Sequence, residues 1–125
     1  MTARMVLMLG AVTAFLGVAL GAFGAHALRA RLSEQLLNTW ETAVQYHLVH
    51  ALGLLVVGLT LLHSAPAPLL RWSAWFMLAG MVLFSGSLYL LCLSGVRWLG
   101  AITPLGGTAL LIAWALFAVA VWRLN

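Results

Sequence analysis

The stretch Asn38-Thr-Trp-Glu-Thr-Ala-Val-Gln-Tyr-His-Leu-Val-His-Ala-Leu-Gly-Leu-Leu55 places a Glu, a Tyr and two His inside a segment that otherwise has the apolar character of a membrane span. A bilayer core about 30 Å thick is crossed by a helix of roughly 20 apolar residues. Titratable groups at that depth are unfavourable unless they have a partner, so they mark candidate functional positions. This stretch therefore indicates a helical membrane protein and the first place to look for its function.

The composition of the whole chain supports the same class. Of the 125 residues 65% are hydrophobic and only 6% are charged, whereas a soluble domain carries about 25% charged residues. The six Arg stand singly near the ends of apolar runs, which is typical of membrane spans and disfavours a nucleic-acid partner. The chain has one cysteine, Cys92, so an internal disulfide and a pair of metal-binding thiolates are both excluded.

Four apolar runs are long enough to cross a bilayer: Met5–Gly24, Trp40–Leu62, Trp72–Leu93 and Leu99–Val121. The connections between the later runs are short, and short connections join antiparallel neighbours. The sequence therefore predicts an all-α membrane protein, with the whole chain forming one up-down bundle of four transmembrane helices.

The connection after the first run is longer and has its own pattern. Leucines at 28, 32 and 36 recur every four residues among Arg, Glu and Gln. This spacing predicts a short amphipathic helix over residues 28–37 that lies in the membrane interface. The Arg residues divide three against three between the two sides of the bundle, so the positive-inside rule gives no orientation.

Small residues recur along the first run at alternating intervals of four and three, which places them on one stripe of a helix. Such a stripe lets another helix approach closely, either within the chain or in a second subunit. A further packing glycine is predicted in the fourth run. The predicted packing residues are Gly10, Ala14, Gly17, Gly21, Gly24 and Gly107.

In the second run, Asn38 and Glu41 fit the start of a helix, where Asn caps and a carboxylate meets the positive end of the helix dipole. If Trp40 marks the interface, His50 lies about 15 Å deep, near the midplane. His50 also falls on the side of the helix opposite Glu41, so a direct contact between the two within one chain is not expected.

His47 and His50 form an H-x-x-H pair, which can supply half of a metal site. Further ligands would have to come from His26, Glu41 or another subunit. The alternatives are neutral imidazoles hydrogen-bonded to neighbouring helices, which is the default, and a role in moving protons or holding a ligand.

In the third run Ser85, Tyr89 and Cys92 share one face, and in the fourth Thr103 precedes Pro-Leu-Gly-Gly. Their hydroxyls should bond across helices, and the Pro-Gly-Gly break, expected to kink the helix, favours a cavity. Together these groups form a predicted polar seam. The seam holds the helices together by hydrogen bonds, lines a small-ligand pocket or lines a narrow path through the bundle. The seam comprises His26, Glu41, Gln45, Tyr46, His47, His50, Ser85, Tyr89 and Thr103.

Four motifs stand in a familiar order: Gly21-Ala-Phe-Gly-Ala-His26, Glu41-Thr-Ala-Val-Gln-Tyr-His-Leu-Val-His50, Phe84-Ser-Gly-Ser-Leu-Tyr89 and Thr103-Pro-Leu-Gly-Gly107. With them the chain resembles the small bacterial membrane proteins called domain of unknown function 423, the YgdD/YwdK-like group. Eukaryotic relatives of that family are mitochondrial membrane proteins. The resemblance covers nearly the whole chain. It implies four transmembrane helices and a bacterial inner membrane, and it supplies no accepted activity.

The expected function is that of a non-enzymatic integral membrane protein: a scaffold, an accessory subunit or a lipid-interacting module, homo-oligomeric and without a cofactor. One alternative is a small proton-responsive transporter or channel that uses Glu41, Tyr46, His47 and His50. Another is a metal or haem protein with His26, His47 and His50 as ligands. A small-molecule ligand and a larger membrane complex are both left open as partners.

Overall fold

A computed structural model describes residues 1–64 and 66–124. All four predicted spans are helical, and each helical region is long and apolar enough to cross a membrane, the fourth being counted from Arg97. The elements are α1 (Ala3–His26), α2 (Glu34–Leu62), α3 (Pro68–Ser94), a 3-10 helix (Arg97–Ala101) and α4 (Thr103–Trp122). The all-α fold with four spans is thereby confirmed.

Each helix packs mainly against its neighbour in the chain, and neighbours are antiparallel. Gly10 and Gly24 of α1 lie against Leu55 and Trp40 of α2, so the residue numbers run in opposite directions. The same reversal joins α2 to α3 and α3 to α4. The hydrogen-bonded pairs that show it are Ser85 with Ala43, Cys92 with Leu36, Ser73 with Ala113, and Ser87 with Thr103.

The helix ends follow from local chemistry. Ser33 precedes α2 and its Oγ accepts a hydrogen bond from the Leu36 amide at 3.2 Å, which satisfies one of the free N–H groups at a helix start. At the end of α3, Gly95 takes φ 73°, a left-handed conformation that glycine adopts without a Cβ clash. These caps fix where α2 begins and where α3 turns back.

The predicted interfacial helix over residues 28–37 is wrong. Residues 27–33 form turns, and α2 already begins at Glu34, because Ser33 caps it. Leu28 is only 5% exposed and belongs to a core cluster with Trp40 and Cys92. The leucine spacing thus reflects packing onto the end of the bundle and not a helix lying on the membrane surface.

Two further expectations change with these bounds. α2 starts at Glu34 and not near Asn38, so Trp40 lies almost two turns inside the helix and is buried. Pro104 occupies the first turn of α4, where its missing N–H has no partner to lose, so it does not kink the helix. The 3-10 helix supplies the remaining length of the fourth span.

Candidate functional site

The polar face of α3 is directed at α2. Ser85 Oγ donates to the carbonyl oxygen of Ala43 at 2.7 Å, and the Cys92 thiol donates to that of Leu36 at 3.3 Å. Tyr89 lies between them in sequence and also meets α2. All three side chains therefore make hydrogen bonds from α3 to α2, so none is left unpaired in the apolar interior.

His47 joins three helices. Its Nδ1 lies 2.9 Å from the Tyr89 hydroxyl of α3. The other edge of the imidazole faces α1, where a Cβ added to Gly17 would lie 3.3 Å from His47 Cδ2. Either tautomer of the neutral ring can make this bond, because the Tyr89 hydroxyl can donate to Nδ1 or accept from it. His47 thus acts as an interhelical bridge.

Hydroxyl pairs also link α3 to α4. Ser73 Oγ donates to the Ala113 carbonyl oxygen at 2.8 Å, and the Ser87 and Thr103 hydroxyls lie 2.7 Å apart. Thr103 belongs to the predicted seam, whereas Ser73 and Ser87 were missed. The signal was present, because both are hydroxyls inside an apolar run and the argument made for Ser85 applies to them equally.

Trp40 is the other residue whose role the sequence did not indicate. Its indole Nε1 donates to the Leu20 carbonyl oxygen at 2.9 Å, and its ring packs against Tyr89 with centroids 4.7 Å apart. A Cβ at Gly24 would overlap the indole ring. Trp40 therefore ties the start of α2 to the end of α1, and Gly24 makes the room for it.

The glycine stripe of α1 faces α2, which supports the interpretation of packing within the chain. Any Cβ on this stripe would press on a side chain of α2, because the two backbones approach closely. The pairs are Gly10 with Leu55 at 2.8 Å, Gly17 with Leu48 at 2.7 Å, and Gly21 with Val44 at 3.2 Å. The two helices are thus held at a distance that only small residues on α1 permit.

In α4 the close approach falls one residue before the predicted position. Gly106 is buried, and a Cβ there would overlap the backbone of Phe84. At Gly107 the same atom would make ordinary contact with the Phe84 ring at 3.8 Å. Gly106 is therefore the packing glycine of α4, and Gly107 has space in front of it.

The predicted seam does not form a single site. His26 is exposed at the end of α1, and Glu41 and Gln45 are exposed along a groove of about 200 Å³ between α1 and α2. His50 lies on the opposite side of α2, where Tyr46 is 43% exposed. The seam thus divides into a buried interhelical network and two separate surface features.

The three histidines considered as metal or haem ligands do not converge. Across residues 1–64 and 66–124, no three His, Cys, Asp or Glu side chains lie close enough together to hold one metal ion. His47 is committed to Tyr89. A ligand set of His26, His47 and His50 is therefore not assembled within one chain.

A cleft of about 490 Å³ separates α2 from α4 beside His50. His50 Nδ1 lies 2.6 Å from the Tyr46 carbonyl oxygen one turn earlier, and the ring is only 6% exposed. The cleft is bounded by Tyr46, Phe84 and Trp114 and, on the side of α4, by Pro104 and Gly107. The cleft lies beside the Pro-Gly-Gly motif at the start of α4, although Pro104 occupies the first turn of α4 and does not break the helix.

Comparison with known proteins decides the family. The family described as protein of unknown function (DUF423) matches residues 20–107, which include every residue of the predicted seam. The chain belongs to this family. The UPF0382 membrane protein YwdK of Bacillus subtilis is 47% identical over 117 residues, which cover 94% of this chain and 95% of that protein.

Other DUF423-like relatives agree. A UPF0382 membrane protein of Staphylococcus epidermidis is 44% identical over 94% of both chains, and one of Staphylococcus haemolyticus is 38% identical over 96% of this chain and 97% of its own. No solved structure matches. With four spanning helices and relatives named as bacterial membrane proteins, the chain is a multi-pass helical bundle of the bacterial inner (plasma) membrane.

Proposed function

We propose that the protein is a non-enzymatic structural or accessory module of the membrane that acts as a homo-oligomer. The observation that carries this proposal is that, in the described part of the chain, every fully buried side-chain nitrogen and oxygen has a hydrogen-bond partner. The partners of Ser73, Ser85 and His47 lie on neighbouring helices. Buried polar groups of this kind hold a bundle together and leave its outer surface for partners.

Glu41 and Gln45 indicate where a partner binds. The Cys92–Leu36 hydrogen bond sets residue 36 of α2 level with the end of α3, close to the exposed Trp98 that marks the interface. At 1.5 Å per residue, Glu41 then lies about 8 Å and Gln45 about 14 Å inside the apolar layer. Exposed polar side chains at this depth need a partner other than lipid.

A second copy of the chain is the occupant that fits. A carboxylate accepts hydrogen bonds and a side-chain amide donates them. A two-fold axis beside the groove brings Gln45 of each copy to Glu41 of the other, so that one interface makes both bonds. Ala25 and Gly21 line the same groove and allow close approach of the second copy.

The test is the oligomeric state of the protein in lipid nanodiscs, measured by native mass spectrometry with metal analysis on the same sample. We expect a dimer or larger assembly. Gln45→Leu removes both bonds of the two-fold interface and should weaken the assembly about tenfold, the effect of two interhelical hydrogen bonds of about 0.6 kcal/mol each. Gln35→Leu, an exposed amide in the first turn of α2, is the matched control and should leave the assembly intact. A monomeric wild type, or an unchanged Gln45→Leu, would contradict the proposal.

A second candidate is a small proton-responsive transporter or channel, favoured by one observation, the position of His50 and Tyr46 at a cleft. The other two groups of that hypothesis lie elsewhere. His47 bonds to Tyr89, and Glu41 lies on the opposite side of α2 from His50. The discriminating measurement is pH-dependent flux in liposomes. Flux that is lost in a folded His50→Ala protein would overturn the structural proposal in favour of transport.

A further inference from the structure

The cleft between α2 and α4 has the size and walls of a small-molecule site. Its volume of about 490 Å³ lies within the roughly 300–1,000 Å³ of typical ligand pockets. Tyr46, at 43% exposure, and Leu111, at 74%, stand at its mouth on the outer surface of the bundle. Because that surface faces lipid in a spanning protein, the cleft opens sideways to the bilayer.

His50 offers the cleft a hydrogen-bond acceptor. His50 Nδ1 lies 2.6 Å from the Tyr46 carbonyl oxygen, and a neutral imidazole bonds to a carbonyl only through its N–H. Nδ1 therefore carries the proton, and Nε2 has a free lone pair that can accept a hydrogen bond. Within residues 1–64 and 66–124, Nε2 has no hydrogen-bond partner. Every fully buried side-chain nitrogen in those residues does have a partner. Nε2 is therefore not fully buried, and it stays accessible from the cleft.

The walls favour a flat ring. Tyr46 and Phe84 stack with centroids 4.2 Å apart and planes 26° apart, and the Trp114 indole lies 6.0 Å from His50 on the side of α4. Aromatic faces pack well on other planar rings. Tyr46 adds a hydroxyl, which has no protein partner in the described residues, near the mouth.

We propose that this cleft binds a single-tailed amphiphile whose head is a hydroxyl group on a flat ring, as in an alkylphenol or a quinol. The ring hydroxyl donates to His50 Nε2, the ring packs among Tyr46, Phe84 and Trp114, and the tail leaves through the mouth into lipid. Because the His50 residue is more than nine-tenths buried, Nε2 selects a donor: a ligand without one leaves Nε2 unpaired. The cleft lies opposite the Glu41 groove, so this inference goes beyond the proposed oligomer and is tested separately from it.

The experiment measures binding of para-hexylphenol to the full-length protein in lipid nanodiscs by equilibrium dialysis, with protein-free nanodiscs as the baseline for partition. The probe's methyl ether has the same ring and tail but no donor. We expect saturable binding of the phenol, with affinity for the ether about fivefold to tenfold lower, as expected for one hydrogen bond.

Two variants act on the site in different ways. His50→Phe keeps a ring and removes Nε2, and it breaks no bond between helices because Nδ1 bonds within α2. It should abolish the preference for the phenol over the ether. Gly107→Leu fills the cleft from α4, where an added Cβ meets Phe84 only at an ordinary 3.8 Å, and should abolish saturable binding of both probes.

His63 provides the matched control. Its Nδ1 lies 2.9 Å from the Leu59 carbonyl oxygen, the same bond that His50 makes, but His63 is exposed in the α2–α3 connection. His63→Phe should bind the phenol as the wild type does. Equal binding of phenol and ether, binding no higher than in protein-free nanodiscs, or an equal loss in His63→Phe would each overturn the proposal.

Discussion

The two sides of α2 pack in opposite ways. Towards α1 the backbones approach closely, because glycines of α1 accept side chains of α2 such as Leu48 and Trp40. Towards α4 the contact runs through the large rings of His50 and Trp114, and a cleft is left between the helices. The difference shows that glycines on one helix make room for large side chains of the other, whereas two rings that face each other leave a cleft between the helices.

The closed interface should be the more sensitive of the two. Gly24→Val inserts a side chain where even a Cβ overlaps the Trp40 indole. We expect a loss of about 3 kcal/mol in the free energy of unfolding, the upper end for overpacking a filled core, or failure to fold. Unfolding in SDS-containing mixed micelles measures the change.

The control for this prediction is Gly86→Val, since an added Cβ at Gly86 meets nothing within 4 Å. If Gly86→Val destabilises the protein as much as Gly24→Val, helix propensity and not contact with Trp40 determines the loss, and the contrast between the two sides of α2 fails.

The next largest effect should come from the histidine bridge that lies between the two sides. Tyr89→Phe removes the hydroxyl 2.9 Å from His47 Nδ1 and leaves a ring nitrogen of the buried His47 without that partner. This should cost about 1–3 kcal/mol of unfolding free energy. Tyr46→Phe, in which the lost hydroxyl has no protein partner within the described residues, should be close to neutral in the same assay.

The fold and half of the site could be predicted from the sequence for identifiable reasons. Four apolar runs determine four spanning helices, and the spacing of Ser85, Tyr89 and Cys92 correctly predicts a shared face, because helical periodicity is a local property. The division of the polar seam was not predictable in this way. It depends on the rotation of α2 between α1 and α4, which is set by packing across the whole bundle.

The errors have a common physical origin. Trp40 was placed at the interface and residues 28–37 in a surface helix because aromatic belts and amphipathic spacing are usual signals there. Tertiary contacts override both signals, since the Trp40 indole bonds to Leu20 and Leu28 packs beneath it. The cap at Ser33 was the local signal that set the correct start of α2.

A smaller effect is expected from the hydroxyl bonds between helices. Ser85→Ala removes the bond to the Ala43 carbonyl oxygen and should lower the unfolding free energy by about 0.6 kcal/mol, a typical value for a hydrogen bond between membrane helices. Thr42→Val removes only the bond of the exposed Thr42 to the Asn38 carbonyl oxygen of its own helix and serves as the reference. Equal losses in the two variants would show that the Ser85 bond does not fasten α3 to α2.

The smallest change in stability should be found at the open side of α2, towards α4. This prediction tests the contrast between the closed and open sides of α2 most directly. Gly106 and Gly107 are adjacent in α4, yet a Cβ overlaps the Phe84 backbone at the first and only touches the Phe84 ring, at 3.8 Å, at the second. Gly107→Ala should therefore change stability by less than about 0.5 kcal/mol, while Gly106→Ala should destabilise by about 1–3 kcal/mol. The measurement is the thermal unfolding of both variants in the same detergent. The two substitutions are identical in kind and adjacent in sequence, so the difference between the variants reports the local packing. Equal destabilisation would mean that α4 is packed as tightly on both faces as α1 is on α2, and that the cleft beside His50 is closed in the folded protein.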